Sequence, residues 1–128
     1  MSDAVSIDRT WDIPMVPLSP NEILGRHWSK KHGEAKKWRR AIGAVCKHAP
    51  KGAITGRVFV EIGIYRERLL DPDNAVAACK PILDALKRYG WLVDDSEQFL
   101  ELSVFQRVIQ REEQGVEIVL VHPAESKS

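Results

Sequence analysis

Hydrophobic and polar residues alternate or recur in six blocks along the chain. Val5 to Ile13 places Val5, Ile7, Trp11 and Ile13 two or four apart, which predicts a strand. Pro14 to Pro20 holds three prolines in seven residues and predicts an extended loop, followed by an irregular polar stretch from Asn21 to Lys30. From about Lys31 to His48 the apolar positions are Ala35, Trp38, Ala41, Ile42, Val45 and Cys46, a helical spacing. Val58 to Tyr65 alternates again and predicts a strand with one well-buried face. Val76, Cys79, Ile82, Leu83, Leu86 and Tyr89 give a second helical block that Gly90 would end. Phe99 to Ile109 and Val116 to Val121 are the last two strands, with a turn at Glu112 to Gly115 between them.

The order strand, helix, strand, helix, strand, strand predicts an α+β fold. It has a small mixed β-sheet of about four strands, two main helices packed on it, and a C-terminal antiparallel hairpin. At 128 residues the chain is expected to be one domain, 1–128, with 123–128 a frayed tail. One residue conflicts with its block. Pro81 inside a continuous helix would cost about 3 kcal/mol, so the helix is expected to kink there; the alternative is a separate turn over 74 to 80 with the helix proper starting near Pro81.

Composition is that of an ordinary globular protein, 44% hydrophobic and 29% charged, with no apolar stretch near the length of a membrane span and no signal-peptide pattern at the start. Cys46 and Cys79 are far apart in helical blocks and read as reduced core residues, so the expected location is cytoplasmic. The net charge of +1 conceals a division. Residues 26 to 51 carry nine bases (Arg26, Lys30, Lys31, Lys36, Lys37, Arg39, Arg40, Lys47, Lys51) against one acid, Glu34, while the remainder has ten bases against seventeen acids. A basic helix alone is most simply a solvated face. Beside an acidic centre, it suits a polyanion held across metal-binding carboxylates.

That acidic centre is the run Asp71-Pro72-Asp73-Asn74, followed by Lys80, Asp84 and Asp94-Asp95. Mg²⁺ prefers oxygen ligands and often sits on a few carboxylates with waters and a substrate phosphate, so the cluster points to a metal-dependent phosphodiester site. On a continuous helix at about 100° per residue, Asp73, Lys80 and Asp84 share one polar stripe. The plain alternatives are a Lys80–Asp84 helical ion pair, worth a few tenths of a kcal/mol, and Asp71 as N-cap ahead of Pro72. Other chemistries lack their residues. There is no glycine-rich phosphate loop, no Gly-x-Ser-x-Gly elbow, and no cysteine near His27 and His32 to complete a zinc site. Trp11, Trp38 and Trp91 read as packing residues, and Trp28, among His27, Lys30 and Lys31, as the one placed to stack on a base.

Taken together, these residues resemble the RusA-type Holliday-junction resolvases. The resemblance spans most of the chain: an N-terminal strand, the loop Pro14-Met15-Val16-Pro17-Leu18-Ser19-Pro20-Asn21, a basic helix, a strand, Asp71-x-Asp73-Asn74, Lys80 to Leu86, and Gly90-Trp91-Leu92-Val93-Asp94-Asp95. It implies a Mg²⁺-dependent endodeoxyribonuclease (Mn²⁺ a possible substitute) that acts as a homodimer and nicks four-way-junction DNA symmetrically in recombination and repair. Asp71, Asp73 and Asp95 would be the metal ligands, Lys80 the essential lysine, and Asn74, Asp84 and Asp94 supporting residues. Arg26, Lys30, Lys31, Lys36, Lys37, Arg39 and Arg40 would grip DNA phosphates. One departure stands out: Lys80 follows Asp73 by seven residues where the family pattern has four, which moves it about 4.5 Å along a helix axis. Three alternatives remain open: a non-catalytic junction-binding protein of the same fold, a metal-dependent phosphohydrolase of small phosphate esters, and a structural adaptor.

Overall fold

The computed structural model describes residues 6–18 and 28–123, with the side chains of residues 28–32 left undescribed. Arg26, the tail from 124 onward and the side chains of Trp28, Lys30 and Lys31 therefore lie outside the described residues. The elements are β1 (Ile7–Ile13), α1 (Trp28–Val45), β2 (Val58–Arg66), α2 (Pro72–Ala78), α3 (Lys80–Arg88), β3 (Leu100–Val108), a 3-10 turn (Arg111–Glu113) and β4 (Gly115–His122). The fold is α+β, a four-stranded mixed sheet in the order β1-β4-β2-β3.

β2 and β4 are the two inner strands, and each buries one face completely. Val58, Val60, Ile62 and Ile64 are all at most 1% exposed, and register sets them beside Leu100, Leu102 and Val104 of β3 and Leu120, Ile118 and Val116 of β4. Trp38, Ile42 and Cys46 of the α1 side and Ile82, Leu83, Ala85 and Leu86 of α3 join the same core. The opposite sheet face carries Phe59, Tyr65, Phe105, Val119 and Val121, all half-buried. There the Phe105 ring lies across Gly63 so closely that a Cβ at Gly63 would sit 2.4 Å from it, which is why the strand carries a glycine at that point.

The expected C-terminal hairpin is corrected by the sheet order. β3 and β4 do run in opposite directions and are joined through the 3-10 turn, but β2 lies between them. β3 pairs with β2 in parallel, and β4 pairs antiparallel with both β1 and β2. A parallel pair needs a long crossover, and residues 67–99 with α2 and α3 supply it.

Pro81 also finds its explanation. The expected kinked helix is instead two helices that meet at Cys79, with Pro81 in the second position of α3. The first amides of a helix have no intrahelical acceptor, so a proline there removes no bond. At the other end Gly90 adopts φ +83°, the left-handed conformation that glycine enters without a Cβ clash. The Trp91 amide donates to the Leu86 carbonyl at 2.9 Å and the Gly90 amide to Lys87 at 3.1 Å, the paired bonds of a Schellman stop. Trp91 then donates its indole N–H to the Lys47 carbonyl at 2.7 Å, and the Ala49 amide donates to Tyr89 at 2.8 Å. The C-terminal ends of α1 and α3 are thus tied to each other.

Burial pushes both free thiols, Cys46 and Cys79, up to about 12. The thiolate is then roughly one part in ten thousand at about pH 8, so neither cysteine should react with an aromatic disulfide reagent until the chain unfolds. The folded values lie above the ordinary 9.0, so the stability these thiols contribute is complete below about pH 9 and is lost as pH rises toward 12. The unfolding free energy from denaturant titrations should fall by about 1.4 kcal/mol per pH unit for each thiol in that window, and Cys79→Ala should flatten the fall. A steep fall that Cys79→Ala leaves unchanged would assign the effect to other groups.

Candidate active site and basic helix

Asp71 ends the loop after β2 and stands at the N-cap of α2, with Pro72 next and Asp73 in the first turn. Asp71 has an extended ψ of 146° and makes no side-chain capping bond. Both carboxylates are exposed, and among the described residues neither has an ion-pair or hydrogen-bond partner. The capping role open to Asp71 from sequence is therefore not how its side chain is used. Asn74, next in the turn, is half-buried.

Two glutamines hold the loop that presents Asp71. Gln106 of β3 accepts the Leu70 amide at 2.8 Å and donates its own amide to the Leu70 carbonyl at 2.9 Å. Gln114, just before β4, accepts the Glu67 amide at 2.9 Å. Neither residue stands out in the sequence, because a glutamine in or beside a strand has no spacing signature and its target lies 36 or 47 positions away. Gln106→Leu should leave both Leu70 groups without partners. We expect a loss of about 1–2 kcal/mol and a marked rise in hydrogen exchange at the Leu70 amide, with distant sheet amides protected as before. Unchanged Leu70 exchange would show that the clamp does not hold the loop in solution.

Lys80 opens α3 and bonds through its ammonium to the Asp95 carboxylate, and at 3.2 Å to Asp84 one turn along. The Asp95 hydrogen bond, then the Asp84 bond, raise the lysine above its usual value, so it stays a cation throughout the neutral range. Asp94 instead pairs with Lys87 at 3.1 Å, and that bond, helped by the Asp95 amide and Ser96, lowers its carboxyl below the ordinary range. The side chains of Lys80 and Asp84 are well exposed, at 59% and 53%, so the Lys80–Asp84 pair contributes only tenths of a kcal/mol.

The break at Cys79 removes the continuous helix on which Asp73, Lys80 and Asp84 were expected to form one stripe. What the structure joins is Lys80, Asp84 and Asp95; Asp71 and Asp73 stand at the head of the preceding helix. Among the described residues no three acidic, histidine or cysteine side chains lie within reach of one ion, so the expected Asp71, Asp73 and Asp95 set is not gathered as a cage. Mg²⁺ is commonly held by one or two carboxylates with waters and a substrate phosphate, a smaller set than a cage of three.

The basic helix keeps Glu34, Trp38 and Ile42 inward at a spacing of four. Glu34 is 4% exposed and accepts the Leu18 amide at 3.3 Å, so the one acid of the basic segment anchors the loop after β1 rather than facing water. Lys36, Lys37 and Arg40 are exposed, and with Met15, Gly33 and Ala41 they line an open groove of about 480 Å³. Arg39 turns toward α3 and lines a second cleft with Asp84. The basic face of α1 and the Lys80 cluster thus share a border.

No protein-family model matches the chain, and no curated protein matches it either. Among the described residues no helix is long and apolar enough to cross a membrane.

Proposed function

We propose that this protein is a Mg²⁺-dependent, structure-specific endodeoxyribonuclease that resolves four-way DNA junctions as a homodimer in the cytoplasm. The observation that carries the reading is the pair Asp71 and Asp73: two exposed carboxylates with no partner among the described residues, at the head of α2 just after a loop clamped by Gln106, in the chain that also presents the basic face of α1. Asp71 and Asp73 would hold the ion. When bound, Mg²⁺ polarises a phosphate, lowers the pKa of an attacking water and stabilises a leaving 3′-oxygen. Lys80, kept cationic by Asp95 and Asp84, would meet the negative charge that develops on the phosphate in the transition state. Lys36, Lys37, Arg39 and Arg40 would grip flanking phosphates with little regard to sequence. Two such sites related by a twofold axis match the twofold symmetry of the junction.

The ion pair between Asp95 and Lys80 favours a second reading, a junction-binding protein of this fold that does not cut. The test is incubation with a synthetic mobile four-way junction and with linear duplex, each with and without Mg²⁺. Paired symmetric nicks in the junction alone, dependent on the metal, are the expected result. Tight junction binding with no nicks under Mg²⁺ or Mn²⁺ establishes the second reading instead.

A further inference from the structure

The cleft of about 290 Å³ between α1 and α3 has Ala35 and Pro81 among its lining residues, together with Arg39 from α1, Arg88 from α3 and Asp84. Among the described residues neither guanidinium has an ion-pair or hydrogen-bond acceptor, although the carboxylate of Asp84 is in the same cleft. Asp84 is instead bound to Lys80, which in turn holds Asp95. Arg39 and Arg88, from different helices and with no acceptor among the described residues, therefore both line a concave space, and the acid described there, Asp84, is already bonded to Lys80. A guanidinium offers parallel N–H donors that match two oxygens of a phosphate, and such charge-assisted pairs are the stronger kind of hydrogen bond. Small lining residues leave the space open, and the tie between the C-terminal ends of α1 and α3 fixes the spacing of its two walls.

We infer that Arg39 and Arg88 form a clamp for one backbone phosphodiester of the nucleic acid, seated next to the Lys80–Asp84–Asp95 chain. The inference rests on the nuclease reading and adds to it a residue, Arg88, outside the basic segment. The clamp lies on the opposite side of the polar face of α1 from the groove of Lys36, Lys37 and Arg40. The two grooves flank the helix, so a polyanion that crosses α1 meets cations on both sides.

The experiment measures junction affinity against salt concentration for the parent protein, Arg88→Gln, Arg39→Gln, Arg88→Lys, and Arg111→Gln as a charge-matched control in the turn between β3 and β4. Each Gln variant should weaken binding about tenfold or more at about 0.1 M salt and flatten the log–log salt slope by about one. Arg88→Lys should keep the parent slope, and Arg111→Gln should match the parent in both. Slopes and affinities of both Gln variants equal to those of the parent and the control overturn the clamp while leaving the nuclease reading in place. No junction binding by the parent at any salt overturns both. Binding of dAMP as tight as that of the junction, and lost in Arg88→Gln, overturns the polymer assignment in favour of a small phosphate ester.

Discussion

Asp73→Asn should lose junction cleavage by on the order of a thousandfold or more, about 4 kcal/mol of transition-state stabilisation, while it folds and binds the junction at least as well as the parent. The separation of effects follows from where the residue sits. Asp73 is exposed in the first turn of α2 and has no hydrogen-bond or ion-pair partner among the described residues. The change removes only the favourable placement of a negative charge at a helix N-terminus, roughly 0.3–1 kcal/mol. Neutralising an acid beside a polyanion removes repulsion, so affinity should hold or rise. Single-turnover cleavage, junction affinity and thermal denaturation measured on the same preparation separate these quantities. Asp84→Asn is the informative comparison, because Asp84 is already paired to Lys80 and its loss should cost activity far less. Parent-like cleavage by Asp73→Asn would end the case for a metal held by the α2 carboxylates.

The second large effect is on stability. Trp38→Ala should cost about 3–5 kcal/mol, enough to bring a protein of ordinary stability close to unfolding at growth temperature. Trp38 is fully buried at the centre of α1, in the core shared by the sheet and α3. Its indole N–H has no hydrogen-bond partner among the described residues. A Trp38→Phe variant should therefore fall well short of the alanine loss, since it keeps most of the apolar contact and removes a buried donor that nothing satisfies. Denaturant unfolding of the two variants against the parent reads this directly. Equal losses for Phe and Ala would mean that the indole N–H does have a partner in solution. The anchoring also bears on the basic face, because Lys36, Lys37, Arg39 and Arg40 flank Trp38 on the same helix. A loosened α1 should therefore bind DNA less tightly near its transition.

Local signals were legible wherever periodicity and terminators agree. The alternation over Val58 to Tyr65 corresponds to β2 at Val58–Arg66, and Gly90 ends α3 through the Schellman bonds that its left-handed backbone permits. Trp38 and Trp91 are buried, and Trp11 packs edge-on against Trp91 with ring centroids 4.9 Å apart. Cys46 and Cys79 are free and buried. The i,i+4 pair of Lys80 and Asp84 forms as the spacing allows. Helical periodicity on both sides of Pro81 predicts one kinked helix, but periodicity survives a break: two helices meeting at Cys79 keep Cys79, Ile82, Leu83 and Leu86 inward, while Val76 turns out to be 50% exposed. Adjacency of the last two strands in sequence predicts adjacency in the sheet, whereas β2 occupies the place between β3 and β4.

Spacing and residue type alone define the kinds of element, most of the inward apolar residues, the basic character of α1 and the acidic character of the segment from Asp71 to Asp95. These depend on spacing and residue type over a few turns, which is information held in neighbouring positions. Packing between distant parts of the chain sets the Asp95–Lys80 pair, the Gln106 clamp on Leu70, the inward Glu34 and the cleft shared by Arg39 and Arg88. Each of these contacts or placements depends on residues 15 to 49 positions apart or on packing between separate elements. The Asp95 pair, the Gln106 clamp and the cleft exist because β2 and β3 pair in parallel across a two-helix crossover, while Glu34 is set by the packing of α1 against the loop after β1, and no local pattern encodes which distant groups these packings bring within reach.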